Sequence, residues 1–340
     1  MNRNKLVSRV CAGCIFLAMA LRLAAAVTWG SDIPIFAQPE VAGFLLQAET
    51  GREPAETIPA TTAPTTRPAT IPTTAVTIPT TTAPPAPTPL TFNPRDTDLV
   101  RLTYSCDYRP NLSALLQQPL DWTLASDKPT VLILHTHGTE SYTPTADTAY
   151  KEYGGDFRTD DDRYNLISIG DELTRLLEQA GIKVIHDRTP HDKDDYLDAY
   201  SNARAAIQAH LKANPTIRLV LDLHRDAATY ADGTQWPTSA TVDGKKSAQI
   251  MFVIGTDAGG NTHPNWQQNL ATAEKLHVLM EKSCDGITRP IDLRSQRFNQ
   301  DLSPAAMIVE VGSAGNTHPE AMTAIPILAQ AIIALQQGSA

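Results

Sequence analysis

The chain has 340 residues, 42% of them hydrophobic, and a formal net charge of −9. That acidity, with no block of Lys or Arg, excludes a nucleic-acid binder, because nothing would neutralise a phosphate track. The apolar fraction likewise excludes a fibrous or wholly disordered chain. Eleven of the 25 prolines lie between Pro54 and Pro94, so the folding unit is expected over residues 95–340, long enough to bury one large core.

Residues 1–9 carry Arg3, Lys5 and Arg9 without an acid, and residues 10–27 are apolar except for Arg22 and a few small side chains. A positive flank ahead of an apolar segment sets its N-terminus in the cytoplasm. The segment is short for a full span, and Ala24-Ala25-Ala26 resembles a signal-peptidase site. Residues 1–30 therefore read as a membrane anchor or a cleaved signal, and the remainder as exported. Residues 31–94 read as a Pro/Thr-rich disordered spacer (TTAPTTRPATIPTTAVTIPTTTAPPAPTP) with too little apolar surface to offset chain entropy. Extended at about 3.1 Å per residue, such a segment holds a domain away from a membrane. Cys106 and Cys284 can pair in an extracytoplasmic domain, although two unpaired small apolar residues is the simpler reading.

Strand and helix patterns then alternate. Residues 129–135 (PTVLILH) form a buried-strand pattern, and 165–180 (NLISIGDELTRLLEQA) a helical one that stops at Gly181. Residues 183–186 read as strand, 196–212 as helix and 218–223 (RLVLDL) as strand. Residues 249–255 (QIMFVIG) read as strand, 266–282 as helix, 306–311 (AMIVEV) as strand and 320–336 as helix. Continuous apolar strands alternating with helices predict an α/β fold, a three-layer arrangement with a mainly parallel sheet and helices on both faces. Ligands of such sheets bind beyond the C-terminal strand ends.

Three of those ends carry imidazoles and carboxylates: His135-Thr136-His137-Gly138-Thr139-Glu140, His224-Arg225-Asp226, and Glu310 followed by Gly312. Amide hydrolysis needs a polarised carbonyl and an activated water, and a zinc ion on three protein ligands with one open position supplies both. His137, Glu140 and His224 make a two-imidazole, one-carboxylate set, and Glu310 can then act as general base and acid. Of His135 and His137 only one is expected to bind directly, and His137 is preferred because it pairs with Glu140 and lies further beyond the strand. Asp160, Asp161 and Asp162 are alternative sources of the carboxylate, or else acids favoured at a helix N-terminus. Asp222 shares a strand face with His224 and can orient it. Arg225 either binds a substrate carboxylate or makes an ordinary ion pair. The run 255–266 (GTDAGGNTHPNW) suits a peptide or sugar ligand. Asn261 is a candidate contact there, and Trp266 either stacks on a sugar or staples the following helix. Arg297 is expected to line the same groove.

The stretches HTHGTESYTP, YNLISIGDEL, VIHDRTPHD, LDLHRDA, GTDAGGNTHPNWQQNL, RFNQDLSP and IVEVGSAGNTHPEA, spanning residues 131–321, resemble the stage II sporulation protein P family. The resemblance implies a zinc-dependent peptidoglycan hydrolase with N-acetylmuramoyl-L-alanine amidase activity and endopeptidase activity on stem-peptide cross-links. It also implies action outside the membrane during forespore engulfment, a lytic transglycosylase partner of the stage II sporulation protein D type, and a fold similar to cell-wall amidases of the third family. Matched to those amidases, His137 and His224 would bind zinc, and Glu310 would fall in a late strand followed by Gly312 and Asn316, the last a candidate substrate contact. The acidic ligand points to Asp161 by the amidase pattern and to Glu140 by the H-x-x-E of the related carboxypeptidases, and Glu140 is preferred. The competing readings are a zinc carboxypeptidase, with Arg225 or Arg297 on the peptide terminus, and a non-catalytic wall-binding module.

Overall fold

Seven apolar runs find partners in one sheet. In the computed structural model the structure describes residues 91–153, 157–230 and 234–338. The anchor or signal expected at 1–30, and the spacer as far as residue 90, lie outside the described residues. The sheet contains β1 (Leu102–Ser105), β2 (Val131–Leu134), β3 (Val184–His186), β4 (Leu219–Asp226), β7 (Ile250–Gly255), β8 (Ile291–Arg294) and β9 (Ala306–Ser313). Strands β5 (Ser239–Val242) and β6 (Lys245–Ala248) form a separate antiparallel hairpin. The helices are α1 (Leu112–Gln117), α2 (Leu166–Gln179), α3 (Ala199–Ala213), α4 (Trp266–Ser283) and α5 (His318–Gly338).

The sheet order is β1-β8-β7-β9-β4-β2-β3. Every neighbouring pair is parallel except β7 and β9, which run antiparallel with Met251 opposite Glu310. The fold class is thus the α/β, mainly parallel arrangement expected, but the sheet consists of two parallel halves facing opposite ways. The strand ends of β2, β4 and β9 emerge at one edge, and those of β1, β7 and β8 at the other.

Strand alternation divides the core between the two faces. Val131 and Ile133 of β2 pack with Leu166, Ile169, Leu173 and Leu177 of α2 in the larger cluster, which also takes in α4 and α5. Leu132 and Leu134 pack with Ala203 and Ile207 of α3 on the other face. Asn165 starts α2 by accepting a hydrogen bond from the Ile167 N–H at 2.9 Å, and the chain leaves the helix at Gly181, whose φ is +87°. The α3 run begins with one 3-10 turn at Tyr196–Asp198. Helix α5 is apolar enough over His318–Gln336 to satisfy a membrane-span criterion, yet 56% of that stretch is buried within the fold. It is a core helix by packing. Cys106 and Cys284 are both free.

Strands β1 and β8 and helix α1 are too short to show periodicity, and the sequence reading omits them. The β5–β6 hairpin turns on Asp243-Gly244, both at positive φ (48° and 75°), the geometry of a type I′ turn.

Buried in α4, Glu274 has both carboxylate oxygens shut from solvent without a hydrogen-bond partner, and burial pushes the group up to about 8. Unfolded, it titrates at about 4.3. Below that pH the side chain is protonated in both states and adds no pH dependence. Between there and pH 8 the unfolded chain releases a proton that the folded chain retains, so this position destabilises the fold increasingly as pH rises. Glu274→Gln is therefore expected to leave the melting temperature nearly unchanged at pH 5 and to raise it by about 5 °C at pH 8.5. Calorimetry that found equal shifts at both values would contradict this.

Candidate metal centre at the edge shared by three strands

Strands β9, β4 and β2 are consecutive in the sheet, which brings their chemistry side by side. His224 lies within β4, not beyond it, and is in register with Glu310, which lies within β9. In parallel pairing, residues in register project to the same face, here the face that carries α3. Asp222, two residues earlier, shares it. His137 follows the end of β2 and reaches the same space, with the His137 and His224 rings crossing at 85° and their centres 5.4 Å apart. His135 faces the other way: β2 ends at Leu134 and the chain turns over 136–139, so the two histidines do not share the face that a continuous strand would give them. Its Nε2 is 2.8 Å from His186 Nε2 of β3, and Gly170 of α2 is packed against both rings.

Glu140 joins this group. A turn closed by its N–H donating to the His137 carbonyl at 3.0 Å brings the side chain back. Its Oε2 lies 3.7 Å from His224 Nδ1 and accepts from the Arg225 N–H at 3.3 Å. Asp161 is elsewhere, gripped by the Arg163 fork at 2.6 and 2.9 Å. Asp160 and Asp162 pair with Lys193 and Arg188. Of the carboxylates considered for the third position, the structure therefore brings Glu140 beside His224.

Each imidazole is backed by a buried carboxylate. Asp222 Oδ1 lies 3.1 Å from His224 Nε2, out of line for a hydrogen bond. Thr136 holds this carboxylate through its N–H at 2.8 Å and its hydroxyl at 2.5 Å. Asp192 Oδ2 is 3.8 Å from His137 Nδ1 and accepts from the Thr139 hydroxyl at 2.6 Å. Sequence reasoning missed Asp192, and it also missed an aromatic wall. Tyr196 stacks on His137 at 4.4 Å with the Arg158 guanidinium 4.3 Å over its other face, and Tyr200 lies over His224 at 6.4 Å. Only the Tyr196–Tyr200 spacing, one helical turn at the start of a helix beside the sheet, could have flagged them.

The electrostatics follow from crowding anions in a dry site. Burial pulls His224 down, but Asp222, with Glu140 and Glu310 beyond it, outweighs burial and holds the imidazole up at about 10. Burial drives His137 well below its ordinary value, with His224, Arg158 and Arg225 acting in the same direction. Burial pushes Glu310 up to about 8. His137 Nδ1, His224 Nε2 and Glu310 Oε2 are all shut from solvent with no hydrogen-bond partner.

Among the described residues no group of three or more His, Cys, Asp or Glu side chains stands in a closed metal-binding geometry. The donor chemistry nonetheless fits zinc. With Zn–N bonds of about 2.0–2.1 Å, two tetrahedrally placed imidazoles have ring centres roughly 5 Å apart, close to the 5.4 Å found here.

The remaining expected contacts are not brought to this centre. Arg225 is buried, and its Nε donates to the Ser141 carbonyl at 2.9 Å, tying β4 to the segment that follows β2. Asn316 is also buried. It accepts from the N–H groups of Thr238 and Ser313 and donates to the Thr238 carbonyl and to Glu320. Gly312, at φ +71°, leaves room for it: a Cβ there would come within 2.7 Å of Asn316 Oδ1. Asn316 thereby anchors the loop that leaves β4, on which Tyr230 and Trp236 are 51% and 46% exposed with ring centres 6.1 Å apart. Asn261, Trp266 and Arg297 follow β7 and β8, and the antiparallel β7–β9 pairing carries them to the opposite edge. There Trp266 stacks on Tyr108 at 5.2 Å, and Arg297 pairs with Asp301 at 3.3 Å.

The profile of the family described as stage II sporulation protein P (SpoIIP) matches residues 83–333. The stage II sporulation protein P of Bacillus subtilis (strain 168) is 29% identical over 208 residues, covering 57% of this chain and 48% of that protein. The chain thus spans about half the length of that curated relative. Among solved structures, the CwlD amidase from Clostridioides difficile, in complex with the GerS lipoprotein, is 15% identical with a TM-score of 0.36, over 62% of this chain and 95% of that one. The N-acetylmuramoyl-L-alanine amidase AmiC2 of Nostoc punctiforme is 14% identical with a TM-score of 0.37, over 61% and 97%. These structural likenesses are loose, and the assignment rests on the profile, which spans well over half of the sequence. The chain belongs to the stage II sporulation protein P family.

Proposed function

We propose that this chain is an extracytoplasmic, zinc-dependent peptidoglycan hydrolase of sporulation engulfment. It cleaves the amide between N-acetylmuramic acid and the L-alanine of the stem peptide, with peptide cross-links as a further target. The observation that carries the reading is the meeting of His137 and His224, 5.4 Å between ring centres, with Glu140 at 3.7 Å and Glu310 in register beside them. Family membership supports a wall hydrolase. Residues 1–30 as a membrane tether and a lytic transglycosylase partner of the stage II sporulation protein D type belong to the same proposal.

His137, Glu140 and His224 would hold the zinc ion, and the chemistry it supplies is Lewis acidity toward the scissile carbonyl and the attacking water. Asp192 and Asp222, 3.8 and 3.1 Å from the two imidazoles, supply negative charge beside them. Glu310 takes the water proton and hands it to the departing amine, a task suited to a carboxyl held near neutrality. Tyr230 and Trp236 stand on the loop leaving β4 at this edge, and their exposed rings offer the sugar a stacking surface. A carboxypeptidase needs a cation for the peptide terminus. Arg225 is committed to Ser141 and Arg297 lies at the far edge, so nothing favours that alternative.

Three outcomes follow on purified sacculi. Glu310→Gln is expected to lower kcat by about 100-fold or more while metal analysis still finds zinc; normal turnover would remove Glu310 from the chemistry. His224→Ala should abolish zinc retention, and full occupancy in that variant would exclude it as a ligand. Trp236→Ala should raise KM about fivefold with kcat little changed, the worth of one aromatic contact; an unchanged KM would take the loop out of substrate binding. Release of whole stem peptides, seen by mass spectrometry and stopped by a chelator, tests the reaction itself.

A further inference from the structure

The polar run 255–266, which the metal centre does not use, borders a cavity of its own. A cleft of about 700 Å³ opens between α1 and the start of α4, lined in part by Gln117, Asp257, His263, Trp266, Gln267 and Gln268. It lies at the edge where β1, β7 and β8 end, across the sheet from His137 and His224. Eight residues of β9 separate the two edges, which at about 3.3 Å per residue is more than 20 Å.

Two features mark it as built for a ligand. His263 is fully buried, yet neither ring nitrogen has a hydrogen-bond partner, and Asp257 Oδ1 is shut from solvent in the same condition. Buried polar groups left unpaired are costly and uncommon, and both of these residues line the cleft. In addition, Asn265 does not cap α4 with its side chain, so the first-turn N–H groups beside the cleft remain available to an acceptor.

The lining also selects a chemistry. It holds no Lys or Arg, and its one charged group is the Asp257 carboxylate, which turns away phosphates and carboxylates. Glutamine amides both donate and accept, and burial pulls the His263 imidazole down to about 4, so the ring adds no positive charge to the lining. The indole of Trp266 adds an apolar surface. Hydroxyls, an amide carbonyl and a weakly polar ring face are the complement of that set.

We propose that this cleft binds an uncharged N-acetylated saccharide, independently of the metal centre. The choice of an N-acetylated sugar rests on the peptidoglycan reading above; the preference for a neutral, hydroxyl-rich ligand rests on the lining alone. Held here, a glycan strand is gripped at a distance from the edge where Glu310 stands.

The test is calorimetric titration of the full chain with the tetramer of N-acetylglucosamine. Binding is expected for the unaltered chain and, equally, for His224→Ala, whose metal centre is disabled; this separates the cleft from the hydrolase reading, which can fail without affecting the result. Gln267→Ala and Asp257→Asn should each weaken binding about fivefold, the worth of one hydrogen bond. Gln267 is exposed, so its replacement remains informative should Asp257→Asn not fold. The proposal is overturned if the tetramer fails to bind at millimolar concentration, if binding is indifferent to both cleft substitutions, if it disappears with His224→Ala, or if inorganic phosphate competes for the site.

Discussion

The antiparallel seam between β7 and β9 decides which side chains in this protein can meet. Had β7 run parallel to its neighbour, the loops after β2, β4, β7 and β9 would share one edge, and Asn261 and Trp266 would stand over His224. With β7 reversed, Met251 faces Glu310 and Gly255 lies toward the start of β9. Everything after β7 leaves from the far side. The centre is consequently assembled from β2, β4 and β9 alone. Its fourth wall is supplied by α3, through Tyr196 and Tyr200, and by the loop from β2 that carries Glu140.

Within that frame the governing cost is desolvation. Glu140, Asp192, Asp222 and Glu310 surround two buried imidazoles, and so many anions away from water are unfavourable unless neutralised. The protein answers with protons, one kept on His224 by Asp222 and one kept on Glu310 by burial, and with the Arg158 guanidinium near Glu140. A ligating imidazole must be deprotonated, so a divalent cation and these protons are competitors for the same space. The features that make the site expensive to bury are thus the ones that would make it hold a cation.

The parts of the fold that were legible in sequence are those where burial imposes a period. The runs in β2, β4, β7 and β9 and the spacing in α2 are continuous because each strand or helix face is covered. Strand direction has no such signature, since an apolar strand reads the same either way. The relevant signal lies in the connection. Among the described residues of 227–249 there is no helix, only a hairpin turning on Asp243-Gly244, whereas a parallel crossover requires a covering segment, usually a helix. At the centre, His137, His224 and Glu310 were legible because strand ends of a parallel sheet must converge. Asp192, Arg158 and the two tyrosines were not. They come from loops and a helix start whose approach depends on tertiary packing. Asn316, expected as a substrate contact, instead spends its side chain on the backbone of Thr238 and Ser313 and on Glu320.

Two parallel halves facing opposite ways also give one domain two edges at which strands deliver loops, and the two edges differ in kind. The edge of β2, β4 and β9 is ionic, with carboxylates, imidazoles and guanidinium groups packed in low dielectric, where proton transfer and charge stabilisation are strong. The edge of β1, β7 and β8 carries a cleft lined mainly by glutamine amides and one indole, with Asp257 and the buried His263 beside them. A repeating substrate can engage both at once. Under the proposed binding, a strand gripped weakly at the cleft would raise the effective concentration of its own neighbouring units at the ionic edge, and the combined hold would exceed either contact by itself. Separating the two by the length of a strand keeps the Glu310 carboxylate and its imidazole neighbours at one edge only.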